Sequence, residues 1–184
     1  MPVTLSDFTS EMARVGDGVV VNEAGWERRL EANKVAYFKW LTQSPRFTEK
    51  YGRVKTTDYV DTLFANAGVT PSAAERSELL IILLTQPETG RAVVLRRVAE
   101  RQEFRDREFT RAFVLMQYFG YLRRNPDDIG LDGKPDPNFA GYNFWLGKLN
   151  ENGGDPLAAE MVKAFVNSLE YRRRFLGAPA ASCR

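Results

Sequence analysis

Five oxygen-bearing side chains cluster in one short stretch of the sequence, between Asn125 and Trp145. Carboxylate and amide oxygens are the ligands that Ca²⁺ prefers, and the stretch contains Asp127, Asp128, Asp132, Asp136 and Asn138. An EF-hand loop needs ligands at alternate positions, a glycine at its sixth position and a bidentate glutamate at its twelfth. These aspartates are spaced differently, and a lysine lies among them. We therefore predict a polar connector between helices, with Asp128, Asp132 and Asp136 kept as weak calcium candidates.

The sequence offers few routes to catalysis. It contains no histidine, which removes Ser-His-Asp and Cys-His catalysis as well as His-ligated zinc and haem. Its single cysteine, Cys183, cannot form an intrachain disulfide. Two carboxylates that face one cleft can hydrolyse glycosides, and Asp127 with Glu170 is the best candidate pair. Because both acids are also placed to stabilise helix starts, we predict no catalytic residue, no cofactor and no enzymatic activity.

Two groups of arginines concentrate positive charge: Arg123 with Arg124, and Arg172 with Arg173 and Arg174. Guanidinium groups bind phosphates and carboxylates well. The net charge of the 184-residue chain is only +2, however, which is too small to indicate a nucleic-acid partner. No apolar run approaches the roughly 20 residues that a membrane span needs. We predict that Arg172 and Arg173 bind an acidic patch on a protein partner, without nucleic-acid binding or membrane insertion.

Three neighbouring aromatic residues, Tyr142, Phe144 and Trp145, form a second candidate contact surface. Exposed aromatic side chains supply a large contact area at low entropic cost. On one helix these positions cannot all point into the core, because residues one or two apart face different directions. We therefore predict that at least one of the three faces solvent or a partner.

The elements that position these residues are predicted to be helices, since strand alternation is almost absent. Residues of three segments recur at helical spacing and each set indicates one helix. The first set is Trp26, Leu30, Tyr37 and Leu41 with Phe38, and the second is Phe109, Ala112, Phe113, Met116 and Phe119. The third is Met161, Ala164, Phe165 and Ser168. A side-chain oxygen followed by proline is typical of a helix start and occurs at Ser44-Pro45, Thr70-Pro71, Asp136-Pro137 and Asp155-Pro156. Residues 16–21 are interpreted as an extended linker. The result is an all-α bundle of about eight to ten helices.

An internal repeat divides the chain. The segments "FKWLTQSPRFTEKY" and "FVNSLEYRRRF" both place a serine, Ser44 or Ser168, three residues before an aromatic residue, Phe47 or Tyr171. This pattern predicts a helix that ends near the serine, which then caps a short second helix. We predict a partial helical unit at 1–52, a degenerate unit at 57–106, a complete unit at 107–176 and a flexible tail at 177–184.

The complete unit resembles the bacterial domain-of-unknown-function family 4214, through "FVLMQYFGYLRRNPDD" and "GYNFWLGKLNENGGDPLAAEMVKAFVNSLEY". The matching residues are Phe113, Val114, Tyr118, Arg124, Pro126, Asp127, Gly141, Phe144, Trp145, Leu149, Phe165, Ser168, Glu170 and Tyr171. The insertion "IGLDGKPDPNFA" departs from the family's compact pattern. The resemblance implies a multi-helix fold of tandem phycobilisome-linker-like units, which join proteins without catalysis, and a place near the end of large secreted or surface proteins.

We therefore predict a non-enzymatic structural or protein-interaction module within a larger bacterial assembly or surface protein. Its expected partners are other protein subunits or further copies of itself, and it needs no cofactor. The alternatives are a calcium- or carbohydrate-binding surface module and, as the weaker rival, a carboxylate-dependent hydrolase. The resemblance implies an extracellular or cell-surface location, whereas the N-terminus shows no signal-peptide pattern and fits a cytoplasmic chain or a piece of a longer exported protein.

Overall fold

A computed structural model describes residues 3–175, and within that range the fold is all-α. The ten helices are α1 (Leu5–Gly16), α2 (Trp26–Gln43), α3 (Pro45–Tyr51), α4 (Thr56–Ala67), α5 (Ala73–Thr85), α6 (Gly90–Ala99), α7 (Gln102–Gln117), α8 (Ala140–Glu151), α9 (Met161–Asn167) and α10 (Leu169–Phe175). A π-helical segment, Tyr118–Leu122, continues α7. The predicted all-α multi-helix fold is confirmed, with no β-strand among the described residues.

The described residues form two compact units, 6–106 and 107–175 together with 3–5, which we call the N-terminal and C-terminal units. The division into pieces at 1–52, 57–106 and 107–176 stays a prediction. The predicted tail at 177–184, with Cys183, lies outside the described residues. No helix within residues 3–175 is long and apolar enough to cross a membrane.

The N-terminal unit has its core between α4, α5 and α6, with one aromatic side chain added from α3. Its buried residues are Phe47, Tyr59, Val60, Leu63, Phe64, Ala67, Leu79, Leu83, Val94 and Val98. A glycine allows α5 and α6 to approach closely, because a Cβ at Gly90 would lie 2.9 Å from the carbonyl oxygen of Ile82. The apolar run from Leu79 to Leu84 is only half buried, since Ile81 and Leu84 are exposed.

The C-terminal unit packs the end of α7 and the π-helical segment against α8 and α9. Its buried side chains are Val114, Gln117, Tyr118, Phe119, Leu122, Leu149, Ala159, Met161 and Phe165. The predicted apolar face of α7 is wrong in part: Phe109 and Met116 are exposed. Helix α7 buries Val114 and Gln117 instead, so its core-facing side differs from the predicted one.

The predicted serine junctions are confirmed in both units. The Ser44 hydroxyl donates to the carbonyl of Leu41 at 2.7 Å and accepts from the amide of Phe47 at 3.3 Å. Ser168 donates to the carbonyl of Phe165 at 2.7 Å and accepts from the amide of Tyr171 at 3.1 Å. The backbone of Ser44 (φ −64°, ψ 149°) and that of Ser168 (φ −62°, ψ 147°) are nearly identical. Each serine thus ends one helix and caps the next.

Of the four predicted side-chain-oxygen–proline helix starts, only Ser44-Pro45 is correct. Helix α5 begins at Ala73 rather than at Pro71, because the Ser72 hydroxyl accepts from the amide of Glu75 at 3.1 Å. Serine followed three residues later by glutamate is a capping-box sequence, and it prevails over the Thr70-Pro71 signal.

The other two starts are displaced by residues in the left-handed backbone region. Helix α8 follows Phe139 (φ 54°) and α9 follows Glu160 (φ 49°). Asp155 still accepts from the amides of the two residues after its proline, but this turn is interrupted before α9. The predicted extended linker at 16–21 is instead part of a series of turns.

Candidate partner-binding surface

In the acidic connector between the π-helical segment and α8, aspartate carboxylates accept hydrogen bonds from nearby backbone amides. Asp128 accepts from the amide of Asn125 at 2.8 Å, and Asp132 accepts from the amide of Lys134 at 3.1 Å. Asp136 accepts from the amides of Ala140 and Gly141 at 2.9 and 2.8 Å. The three weak calcium candidates therefore each shape a local turn. Residues 3–175 contain no group of three or more Asp, Glu, His or Cys side chains arranged to hold a metal ion.

Asp136 has a particular role at the start of α8. The amides of Gly141 and Ala140 donate to its carboxylate and lower its pKa below the usual aspartate value. Asp136 lies three residues before the observed N-cap residue of this helix, Phe139, yet it satisfies two of the amides that a helix start leaves unpaired. The sequence thus indicated the right capping residue and the wrong first residue of the helix.

Glu170, one member of the proposed catalytic acid pair, forms an ion pair with Arg124. The guanidinium donates from Nε to Oε1 at 2.7 Å and from Nη2 to Oε2 at 3.1 Å. Both side chains are 14% exposed. Arg124 also donates to the carbonyls of Asn125 and Pro126. Its guanidinium lies 5.3 Å from the ring centroid of Tyr118. We call this arrangement the Arg124 clamp; it holds α10 to the beginning of the acidic connector.

The three aromatic residues of α8 point in different directions, as the packing argument predicts. The Tyr142 hydroxyl donates to the carbonyl of Arg111 at 3.3 Å, and burial raises the pKa of Tyr142. Trp145 packs against Phe165 with a centroid separation of 5.5 Å. Phe144 is 56% exposed and meets only the edge of Trp145, at a centroid distance of 5.2 Å. Phe144 is therefore the aromatic side chain that α8 presents to solvent.

Phe144 lies at the side of an open groove of about 510 Å³, which we call the α8–α9 groove. Its lining combines aromatic side chains, three alanines and polar groups: Phe144, Trp145, Lys148, Asn152, Ala158, Ala159, Glu160, Lys163, Ala164 and Asn167. The alanines allow a bound chain to approach the helix backbones closely. An open, mainly apolar groove between helices is a common site for a peptide or helix of a partner.

Charged side chains of both signs border the α8–α9 groove, with one more cation than carboxylates. Lys148 pairs with Glu151 at 3.5 Å and Lys163 pairs with Glu160 at 3.0 Å, all four being well exposed. Arg172 donates to the groove residue Asn167 at 3.4 Å, which places its guanidinium at the groove's end. The charged groups near the groove are therefore three cations, Lys148, Lys163 and Arg172, and two carboxylates, Glu151 and Glu160.

The structure brings some of the predicted partner-binding residues together and leaves others apart. Phe144 and Trp145 line the α8–α9 groove, and Arg172 contacts it through Asn167. Tyr142 lines a separate depression of about 240 Å³, and Arg173 is exposed on α10. Sequence reasoning missed Lys148 and Lys163. The small-residue segment "PLAAEMVKA" was the available signal, because alanines on an exposed helix leave room for a partner.

The fold and this surface define the class: an all-α protein with an open, aromatic-lined groove bordered by charged side chains of both signs. Comparisons with protein-family models, curated proteins and solved structures find no match to the chain. The resemblance to family 4214 and to phycobilisome linkers therefore stays a prediction from the residues that carry it.

Proposed function

We propose that the chain is a non-enzymatic structural or protein-interaction module of a larger bacterial assembly or surface protein, and that the α8–α9 groove is its contact surface. The observation that carries the proposal is the 56% exposure of Phe144 beside a groove with an alanine-rich floor. Aromatic side chains at the centre of a contact surface contribute most of the binding free energy in many interfaces. The partner is a protein subunit or a second copy of the chain.

The charges around the groove suggest the chemistry of the partner. Lys148, Lys163 and Arg172 outnumber Glu151 and Glu160 near the groove, so a segment with acidic residues beside an apolar anchor is complementary. Complementary charges mainly raise the association rate and select the partner, whereas burial of the aromatic anchor strengthens the complex once it has formed.

Two features of the molecule favour contact over catalysis. The chain has no histidine, and Glu170 is held in a two-pronged ion pair with Arg124. The guanidinium engages both oxygens of the Glu170 carboxylate and fixes the side chain, which suits it poorly to proton transfer with a substrate. The resemblance to linker proteins agrees with a module that joins other proteins, and it suggests the cell surface as the place of action.

Native mass spectrometry of the tagged chain expressed in its source organism tests the proposal. We expect a stoichiometric complex or a homo-oligomer whose dissociation constant rises about tenfold in Phe144→Ser. Phe109→Ser is a matched control, because Phe109 is 50% exposed in the same unit and lies outside the groove. A chain that is always monomeric, or a complex that survives Phe144→Ser unchanged, would contradict the proposal.

A further inference from the structure

The N-terminal unit contains a second open cleft, between α1 and α2, with a different chemistry. The cleft has a volume of about 450 Å³, within the roughly 300–1,000 Å³ of most small-molecule sites. The end of α1 contributes Ala13, Arg14 and the following Asp17, and α2 contributes Asn33, Ala36, Tyr37 and Trp40. Two aromatic rings therefore share one small cleft with a guanidinium, a carboxylate and an amide.

Hydrogen bonds between side chains and backbone fix the geometry of the α1–α2 cleft. The Asn33 side-chain NH₂ donates to the carbonyl of Val15 at 3.0 Å and to that of Asp17 at 2.8 Å. The Tyr37 hydroxyl donates to the carboxylate of Glu11 at 2.7 Å. These bonds connect α2 to the last turns of α1 and to the residue that follows it, so the cleft is present before any ligand binds. Preorganisation of this kind reduces the entropic cost of binding.

Several polar groups of the cleft have unused hydrogen-bonding capacity. The Arg14 guanidinium lies over the Trp40 ring, 4.2 Å from its centroid. Stacking of this kind leaves the in-plane N–H donors of arginine directed outward. Within residues 3–175, no hydrogen bond or ion pair engages the guanidinium of Arg14, the carboxylate of Asp17 or the indole N–H of Trp40. The Asn33 amide uses only its NH₂ group, which leaves its oxygen as an acceptor.

The charges and surfaces of the cleft select a class of ligand. Among the lining side chains one guanidinium is matched by one carboxylate, so positive charge does not dominate, which disfavours a phosphate or an acidic chain. Sugar hydroxyls donate and accept hydrogen bonds, so adjacent hydroxyls match Arg14, Asp17 and the Asn33 oxygen together. The C–H face of a sugar ring is apolar and packs on aromatic side chains such as Trp40 and Tyr37.

We propose that the α1–α2 cleft binds a neutral oligosaccharide, with Trp40 and Tyr37 as the stacking surface and Arg14, Asp17 and Asn33 as hydroxyl ligands. This site lies in the N-terminal unit, whereas the proposed protein contact lies in the C-terminal unit, so the two proposals stand independently. The combination gives the chain one surface for a protein and another for a glycan.

NMR titration of the full chain tests the site through the indole N–H resonances of Trp26, Trp40 and Trp145. The probes are maltotriose, cellotriose and tri-N-acetylchitotriose, with tri-galacturonate as the anionic comparison and a neutral Gly/Ser/Asn hexapeptide as the peptide comparison. At about 10 mM probe, a concentration that detects millimolar affinity, we expect at least one neutral trisaccharide to shift the Trp40 resonance and to leave that of Trp145 unchanged. Trp40→Phe assigns the resonance.

Variants separate specific binding from general surface effects. Arg14→Ala and Asp17→Ala remove exposed groups, and each should weaken the binding by at least about tenfold, the loss expected for a hydrogen bond to a charged group. Lys50→Ala, on α3 of the same unit, should leave the affinity unchanged. The proposal is overturned if no neutral trisaccharide shifts Trp40, if Arg14→Ala and Asp17→Ala bind as the parent does, or if the anionic sugar or the peptide binds more tightly.

Discussion

Removal of Glu170 tests whether the Arg124 clamp stabilises the C-terminal unit. In Glu170→Ala, Arg124 loses both carboxylate bonds, of 2.7 and 3.1 Å. Its remaining bonds to the carbonyls of Asn125 and Pro126 keep the guanidinium at a site where the parent side chain is only 14% exposed. A cation therefore remains mostly shielded from water without its counter-charge.

The expected cost follows from this geometry. Loss of one partner from a buried ion pair costs about 3–5 kcal/mol. Because the pair has some access to water, we expect the lower end of that range, about 3 kcal/mol in the free energy of unfolding. For a unit of this size, about 1 kcal/mol corresponds to 4–8 °C in Tm. Glu151→Ala is the matched control, since its pair with Lys148 is well exposed and exposed pairs contribute about 0–1 kcal/mol.

Urea unfolding of the full chain, combined with peptide-resolved hydrogen exchange, measures the loss in the C-terminal unit separately. The double variant Arg124→Leu/Glu170→Leu removes both charges together. We expect it to lose less stability than the sum of its two single variants, because no unpaired charge remains. The reasoning is refuted if Glu170→Ala is no less stable than Glu151→Ala, or if the double variant shows additive losses.

Four further variants test other local features of the fold. Gly90→Ala should lower the free energy of unfolding by about 1–3 kcal/mol, because its Cβ would press on the α5 backbone. Gly147 lies in mid-helix with open space around it, so Gly147→Ala should raise the free energy of unfolding by about 0.5–1 kcal/mol. Urea unfolding measures both changes. Asp136→Asn should lower stability near neutral pH. Because the folded-state pKa of Asp136 is lowered, the stability it provides is present above the usual aspartate pKa and is lost as pH falls, so the two proteins should converge below about pH 4 in thermal melts. Ser168→Ala should cost about 1 kcal/mol through loss of the α10 cap, measured as faster amide exchange in α10; unchanged exchange there would contradict the capping role.

Local sequence signals predicted the fold where one signal acted alone. Ser44 and Ser168 were interpreted correctly because a hydroxyl three residues before an aromatic residue has one low-energy role at a helix end. The helical periods of α2 and α9 were also visible, and Met161 and Phe165 are buried as their spacing predicts. In these segments the short-range pattern and the tertiary packing favour the same structure.

The errors arose where two local signals competed, where an uncommon backbone conformation set a helix start, or where residues met only through tertiary packing. The Thr70-Pro71 signal lost to the capping box at Ser72. At Phe139 and Glu160, non-glycine residues adopt a left-handed backbone, which no propensity rule anticipates, because this conformation is uncommon for such residues and depends on the surrounding structure. Groove residues on two different helices, such as Lys148 and Lys163, come together only through tertiary packing.

Phe144 is exposed because α8 packs through the side of the helix that carries Tyr142 and Trp145. At 3.6 residues per turn, positions 142, 144 and 145 point about 0°, 200° and 300° around the α8 axis. Tyr142 and Trp145 point only about 60° apart and both find partners within the unit, at Arg111 and Phe165. Phe144 points about 100° beyond Trp145, away from that packed side. Full burial of a phenylalanine side chain yields about 1.5–3 kcal/mol, and more than half of this side chain remains exposed. About 1–1.5 kcal/mol is therefore available to a partner that covers Phe144, close to a tenfold gain in affinity. A Phe144→Leu variant should keep most of that gain and Phe144→Ser should lose it, so the ratio of their dissociation constants measures how much of the contact comes from burial of this one side chain.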